Sequence, residues 1–168
     1  MIPSLHIIGP KNSGKTTLMK FLIRKLTERG YRVGAYKHSA HSHPLDKPGS
    51  DSDSFRHSGA QPVIFESAEG MAIFFNQPAE KQKEDILRYV FKDCDLILIE
   101  SFRSAPGPKI FVQTEREDNA PAGNVIAVVN EYGTHHRYPA FTPQAERIID
   151  FIVEKLNISK GNGAVDGN

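Results

Sequence analysis

Apolar positions recur along this chain with two different periods, and the switches between them divide it into elements. Leu5, Ile7 and Ile8 lie in a short, mostly apolar run of strand length. Leu18, Leu22 and Leu26, with Met19 and Ile23 beside them, repeat at helical spacing up to Gly30, which predicts an amphipathic helix stopped by that glycine. Residues 31–36 alternate again and predict a second strand. Strand, loop, helix, strand is the opening of a parallel α/β sheet with a right-handed crossover.

From residue 37 to 49 the composition turns to His, Ser, Pro, Asp and Lys, and Pro44, Pro48 and Gly49 oppose regular structure, so a long loop is expected. Residues 52–58 suit a short helix, and 61–66 with 70–75 an antiparallel strand pair. Residues 79–92 suit a helix with Ile86, Leu87, Val90 and Phe91 on one face. Leu96, Ile97, Leu98 and Ile99 form a continuous apolar run, the pattern of a strand buried on both sides. Residues 109–114 and 125–129 predict two more strands, and Ile148, Ile149, Ile152, Val153 and Leu156 a last helix capped by Thr142 with Pro143 in its first turn. The expectation is an α/β fold, mainly parallel sheet with one antiparallel strand pair, over residues 1–158, then a Gly/Asn-rich loose tail at 159–168.

Composition narrows the class. At 168 residues, 39% of them hydrophobic, the chain is long enough to bury a core as one domain. A formal charge of +1 argues against non-specific nucleic-acid binding. No apolar run approaches the roughly 20 residues that span a bilayer, and the N-terminus lacks a secretory pattern, so a cytoplasmic protein without membrane or nucleic-acid partners is expected. Cys94, the single cysteine, lies between Asp93 and Asp95 and is read as structural.

The chemistry lies between the first strand and the first helix. Residues 9–17 match the phosphate-binding pattern G-x-x-x-x-G-K-[ST], with Gly9, Gly14, Lys15 and Thr16 at the fixed positions. Gly9 and Gly14 let the backbone turn its N–H groups toward phosphate at the positive end of the following helix. Lys15 can reach the terminal phosphates, and the Thr16 hydroxyl can hold Mg²⁺. With both flanks in place, the fold is that of a P-loop NTPase, a three-layer αβα sandwich. Pro10 occupies the place where some dimeric P-loop ATPases carry an extra lysine, and Lys11 receives no role.

Such proteins place an acid at the end of a neighbouring apolar strand. Asp95 and Glu100 bracket the 96–99 run, about 16 Å apart at roughly 3.3 Å per residue. Nucleotides sit at the carboxyl ends of parallel strands, which selects Glu100. His38, His41 and His43 on the long loop could bind a transition metal, and Asp46, Asp51 and Asp53 could complete a Mg²⁺ shell. Asn130, ending the 125–129 run, is placed to meet a base edge, although no N-K-x-D sequence is present.

Taken in order, residues 12–18, Lys37-His38 with His41, Asp46-Lys47-Pro48-Gly49, Asp51-Ser52, Arg56, Gly59-Ala60, residues 96–102 and Pro108-Lys109-Ile110 resemble the MobB family, up to about Val129. The resemblance implies a homodimeric GTP-binding adapter in the synthesis of the molybdopterin guanine dinucleotide form of the molybdenum cofactor. Its partners would be a molybdopterin guanylyltransferase of the MobA type and molybdopterin itself. Carried over by position, Asn12, Ser13, Gly14, Lys15, Thr16, Thr17, Lys37, His38 and Arg56 would contact GTP. Thr16, Asp51 and Glu100 would serve Mg²⁺, and Lys15 and Glu100 would carry any slow or partner-dependent hydrolysis. The chain departs from the family at Ser101, where glycine is usual, and at Arg103, where lysine is usual. Two alternatives stay open: a metal-delivery GTPase using the histidine loop, and a small P-loop kinase.

Overall fold

The computed structural model describes residues 2–39, 42–100, 104, 106–114 and 123–161. His41, Ser101 and Arg103 lie outside that set. In chain order the elements are β1 (Ser4–Ile8), α1 (Lys15–Glu28), β2 (Val33–Lys37), α2 (Asp51–His57), β3 (Val63–Ser67), β4 (Gly70–Phe74), α3 (Glu80–Val90), β5 (Leu96–Glu100), β6 (Lys109–Val112), β7 (Val125–Val129), β8 (Ala140–Phe141) and α4 (Arg147–Lys155). They divide into two compact units, Met1–His38 with Phe91–Asn168, and Ser39–Val90.

The first unit is a six-stranded sheet in the order β2-β5-β1-β6-β7-β8, parallel throughout. Period-2 alternation sorts the two faces. Leu5 and Ile7 of β1 join Leu98, Ile110, Ala127 and Val129 in the main core, where Leu18, Leu22 and Leu26 of α1 and Ile148, Ile149 and Ile152 of α4 cover them. Ile8 turns to the other face and packs with Phe111, Val125 and Val128. α1 closes as its leucine pattern ends: Gly30 N donates to Thr27 O and Tyr31 N to Leu26 O, the paired bonds of a Schellman turn.

Three features differ from the expectation. β8 is a two-residue strand beside β7, too short to show any alternation. α4 begins at Arg147 rather than after Thr142, and its N-cap position holds Glu146 without a side-chain cap bond. Thr142 instead accepts the Ala145 N–H through its carbonyl, in a turn that carries the chain from the sheet edge to the helix. Residues 159–161 of the expected tail are held in the first unit, where Gly161 N donates to Asp95 Oδ1 at 2.8 Å and the Lys160 ammonium lies 5.2 Å from the Tyr31 ring centroid.

The second unit contains α2, α3 and the antiparallel β3–β4 pair, which runs in register from Val63↔Phe74 to Ser67↔Gly70. Only Val63 of the pair is fully buried; Ile64, Phe65, Met71 and Ile73 are all exposed. Two-stranded sheets are marginal alone, and this one exposes Ile64, Met71 and Ile73 on one face and Phe65 on the other.

Candidate functional site

The arch between β1 and α1 is constrained at both glycines, for different reasons. A Cβ on Gly9 would stand 2.6 Å from Val112 O and 2.7 Å from Ser13 Oγ, so β6 and the arch leave room for no side chain there. Gly14 has open space around it but takes φ 91°, a left-handed backbone that L side chains resist. Asn12 is also left-handed, at φ 61°, a region asparagine tolerates better than most residues.

The start of α1 is unusual in what surrounds it. Gly14 supplies no side-chain cap, and no acidic residue occupies the first turn. α2 shows the ordinary solution, with Ser50 Oγ accepting from Asp53 N and Asp51 and Asp53 in its first turn. The leading N–H groups of α1 have no acceptor within the helix, and their positive end is left for an anion. Ser13 Oγ, in the same arch, is buried with no hydrogen-bond partner among the described residues.

Side chains from three strand and helix ends converge on this point. Lys15 Nζ donates to Gly9 O at 3.2 Å and to Pro10 O at 2.5 Å, which holds its ammonium over the arch. Thr16 Oγ1 donates to Glu100 Oε2 at 3.0 Å. Lys37 Nζ lies 3.6 Å from Glu100 Oε1. The parallel registers explain the meeting, since Glu100 is level with Ile7 on β1 and with Lys37 on β2. Residues 11–17, Lys37 and Glu100 line a cavity of about 520 Å³.

Asn12, Ser13, Gly14, Lys15, Thr16, Thr17, Lys37 and Glu100 are thus brought together, with Lys11 added to them. His38 follows β2 and pairs through its backbone, His38 N donating to Glu100 O, but does not line the cavity. Asp51 and Arg56 belong to the second unit. Asp51 opens α2, and Arg56 bonds Asn76 Oδ1 through Nε, sits 3.9 Å from Asp53 and stacks on the Phe74 ring. In that unit Asp46 is held below the usual carboxylate range by the Ser52 and Ser50 hydroxyls and the Lys47 N–H. Among the described residues no group of three His, Cys, Asp or Glu side chains is arranged to hold a metal ion.

Asn130 is at the carboxyl edge of β7, but its amide is committed. Nδ2 donates to Gln113 Oε1 and Thr134 O, each at 3.0 Å, and Oδ1 accepts from Tyr132 N and Gly133 N. Two donors and two lone pairs are the whole capacity of that group. Gln113 belongs to no motif of the sequence. Its signal is that it follows an apolar parallel strand immediately, as Asn130 follows β7.

A phosphate arch between a buried parallel strand and an uncapped helix start, with an acid on the adjacent strand end, defines a P-loop NTPase-like α/β protein. The model of the family described as "MobB: Molybdopterin guanine dinucleotide synthesis protein B" matches residues 4–131, and the chain belongs to that family. It is 31% identical to the probable molybdopterin-guanine dinucleotide biosynthesis adapter protein of Bacillus subtilis (strain 168), over 96% of each chain. It is also 31% identical to the molybdopterin-guanine dinucleotide biosynthesis adapter protein of Escherichia coli (strain K12), over 96% of this chain and 97% of the other. The crystal structure of Bacillus subtilis MobB superposes with a TM-score of 0.74 at 28% identity, covering 92% of this chain and 98% of that one.

Proposed function

We propose that this chain is a cytoplasmic, homodimeric GTP-binding adapter of molybdopterin guanine dinucleotide synthesis, acting beside a guanylyltransferase of the MobA type. The observation that carries the reading is the Thr16–Glu100 contact beside Lys15, at a helix start that the chain itself does not cap. The adapter names of the relatives supply the pathway.

Thr16 Oγ1 and the Glu100 carboxylate are hard oxygen donors within hydrogen-bond reach of each other, a donor pair suited to Mg²⁺. When bound there, the metal would neutralise charge on the terminal phosphates. Lys15 exchanges two neutral carbonyl partners for phosphate oxygens, a stronger charge-assisted bond. Lys37, two-thirds exposed, balances the Glu100 charge at the rim. Among the described residues no arginine or glutamine lines the cavity to position water. Hydrolysis without a partner is therefore expected to be slow, on the order of 10⁻⁴ to 10⁻² per second. Among the described residues no helix is long and apolar enough to cross a membrane.

Glu100→Gln keeps the size of the side chain and removes its charge. The Mg²⁺ concentration giving half-maximal GTP binding is expected to rise about tenfold, read with a fluorescent GTP analogue across a Mg²⁺ titration. A curve superimposable on the wild type would take Glu100 out of the metal site. The homodimer is assigned to the exposed apolar residues of β3 and β4. Ile64→Glu with Ile73→Glu, cross-strand partners on one face, is expected to shift sedimentation equilibrium to the monomer mass, and an unchanged dimer mass would move the interface elsewhere.

A further inference from the structure

Two buried basic residues of the first unit do not line the phosphate cavity. His6 of β1 is 7% exposed and Lys109 of β6 is 4% exposed. They are partners in the parallel ladder, and by alternation both point to the face that Ile8 and Phe111 share, away from Leu5, Ile7 and α1. Burying an ammonium there costs more than burying a methionine of similar length, unless the charge is bonded. The Lys109 ammonium donates to Gly107 O at 3.1 Å. The His6 ring bonds the Pro106 carbonyl, and His6 N donates to Pro108 O at 3.0 Å. The carbonyls of residues 106, 107 and 108 are thus all tied to this pair.

Those carbonyls close the connection that starts at Glu100. β5 and β6 flank β1, so the chain leaving Glu100 has to pass β1 before it enters β6. Glu100 is level with Ile7 and Lys109 with His6, so the two ends of the connection are anchored one residue apart along β1. The Glu100 carboxylate is held only lightly, since its bond to Thr16 is solvent-exposed and the Lys37 side chain is 68% exposed. We propose that His6 and Lys109 are positioning residues for Glu100: by clamping residues 106–108 they fix the direction in which the chain leaves β5, and so the place of the carboxylate over the arch.

The surroundings suit a clamp. Burial and the nearby Lys109 charge hold the His6 ring below the ordinary imidazole range, so at pH 7 it is a neutral donor and the pair carries one positive charge. Gly107 takes φ 98°, a left-handed turn that a side chain would strain. A Cβ on Gly123 would stand 3.7 Å from Lys109 Nζ, so the turn before β7 lies against the ammonium as well.

The inference rests on the metal-nucleotide reading above, and its test separates the two. Binding of a fluorescent GTP analogue is followed across a Mg²⁺ titration for the wild type, Lys109→Met and His6→Phe, alone and combined with Glu100→Gln. Both substitutions fill the space and remove the side-chain bond. Each is expected to raise the Mg²⁺ concentration for half-maximal binding about fivefold, the scale of coupling through a packed network, with affinity in EDTA unchanged. In the Glu100→Gln background neither is expected to move the midpoint further, because a residue acting through Glu100 has no charge left to place. An unshifted midpoint in one variant removes that residue from the clamp, and in both overturns the inference while leaving the arch standing. A shift of equal size in the Glu100→Gln background, an equal loss in EDTA, or failure of both variants to fold would make the pair a general support of the sheet and overturn it too. A wild type that binds the analogue without Mg²⁺ dependence, or not at all, would remove the proposed metal site and this inference together.

Discussion

Lys15→Ala is expected to lower Mg-GTP affinity about a hundredfold, the loss of one charge-assisted bond network at a phosphate, with little change in stability. The asymmetry follows from where the ammonium sits. Among the described residues Lys15 Nζ binds only the Gly9 and Pro10 carbonyls, neutral acceptors on a partly exposed arch. Removing it costs the fold at most about 1 kcal/mol. The glycines that shape the arch are untouched, and β1 and α1 stay anchored by Leu5, Ile7, Leu18 and Leu22 in the core. Isothermal calorimetry and a urea melt on the same preparation check both halves. A variant that binds GTP like the wild type would show that the arch is not the phosphate site. A variant that fails to fold would show that the two carbonyl bonds carry far more than their chemistry allows.

Asp95→Asn is the counterpart, with a large effect on stability and none on nucleotide binding. The two acids bracketing β5 differ in their surroundings. Glu100 faces the cavity, whereas the Asp95 side chain is only 4% exposed and accepts from Arg32 N at 2.8 Å, Arg32 Nη2 at 3.1 Å and Gly161 N at 2.8 Å. Burial pushes its pKa up, but the hydrogen bonds from Arg32 and Gly161 together outweigh burial and hold it below the usual carboxylate range. An asparagine offers an NH₂ where one of these donors needs an acceptor, and about 2–3 kcal/mol of stability at pH 7 is expected to be lost. The sign of the pH dependence follows from the lowered pKa. The contribution is complete above the unfolded value of about 3.9 and is lost as pH falls through the lower folded value. The gap between wild type and variant in urea melts is therefore wide at pH 7 and narrows below about pH 4. Equal midpoints at pH 7 would remove Asp95 as the anchor of Gly161.

Much of the first unit is legible in the residues because its signals are local. The leucine repeat of α1, the stop at Gly30 and the apolar run of β5 each declare an element within a few residues, and the arch declares its turn through a fixed spacing of Gly9, Gly14, Lys15 and Thr16. Glu100 was legible through one topological rule, that ligands gather at the carboxyl ends of parallel strands. What was not legible depends on partners far along the chain. Gln113 meets Asn130 across 17 residues because β6 and β7 run parallel and, after a register shift between Lys109 and Ile110, keep that spacing to their ends, and Gly161 meets Asp95 across 66 residues. No periodicity reports such contacts. The start of α4 misled for a different reason: Thr142-Pro143 has the composition of a cap, but Phe141 is already paired with Val129 in β8, and the chain needs residues 142–146 to leave the sheet. Asn130 shows the same limit at the site. Its position suggested a base reader, and only the four bonds of its amide show a brace.

The most direct test of the GTP-binding adapter is a calorimetric titration of wild-type protein with Mg-GTP and Mg-ATP, repeated with molybdopterin and the guanylyltransferase present. One nucleotide site per chain, a preference for GTP, and binding strengthened by the partner are the predicted results. A preference for ATP that neither addition changes, or no saturable binding of either nucleotide, would contradict the account.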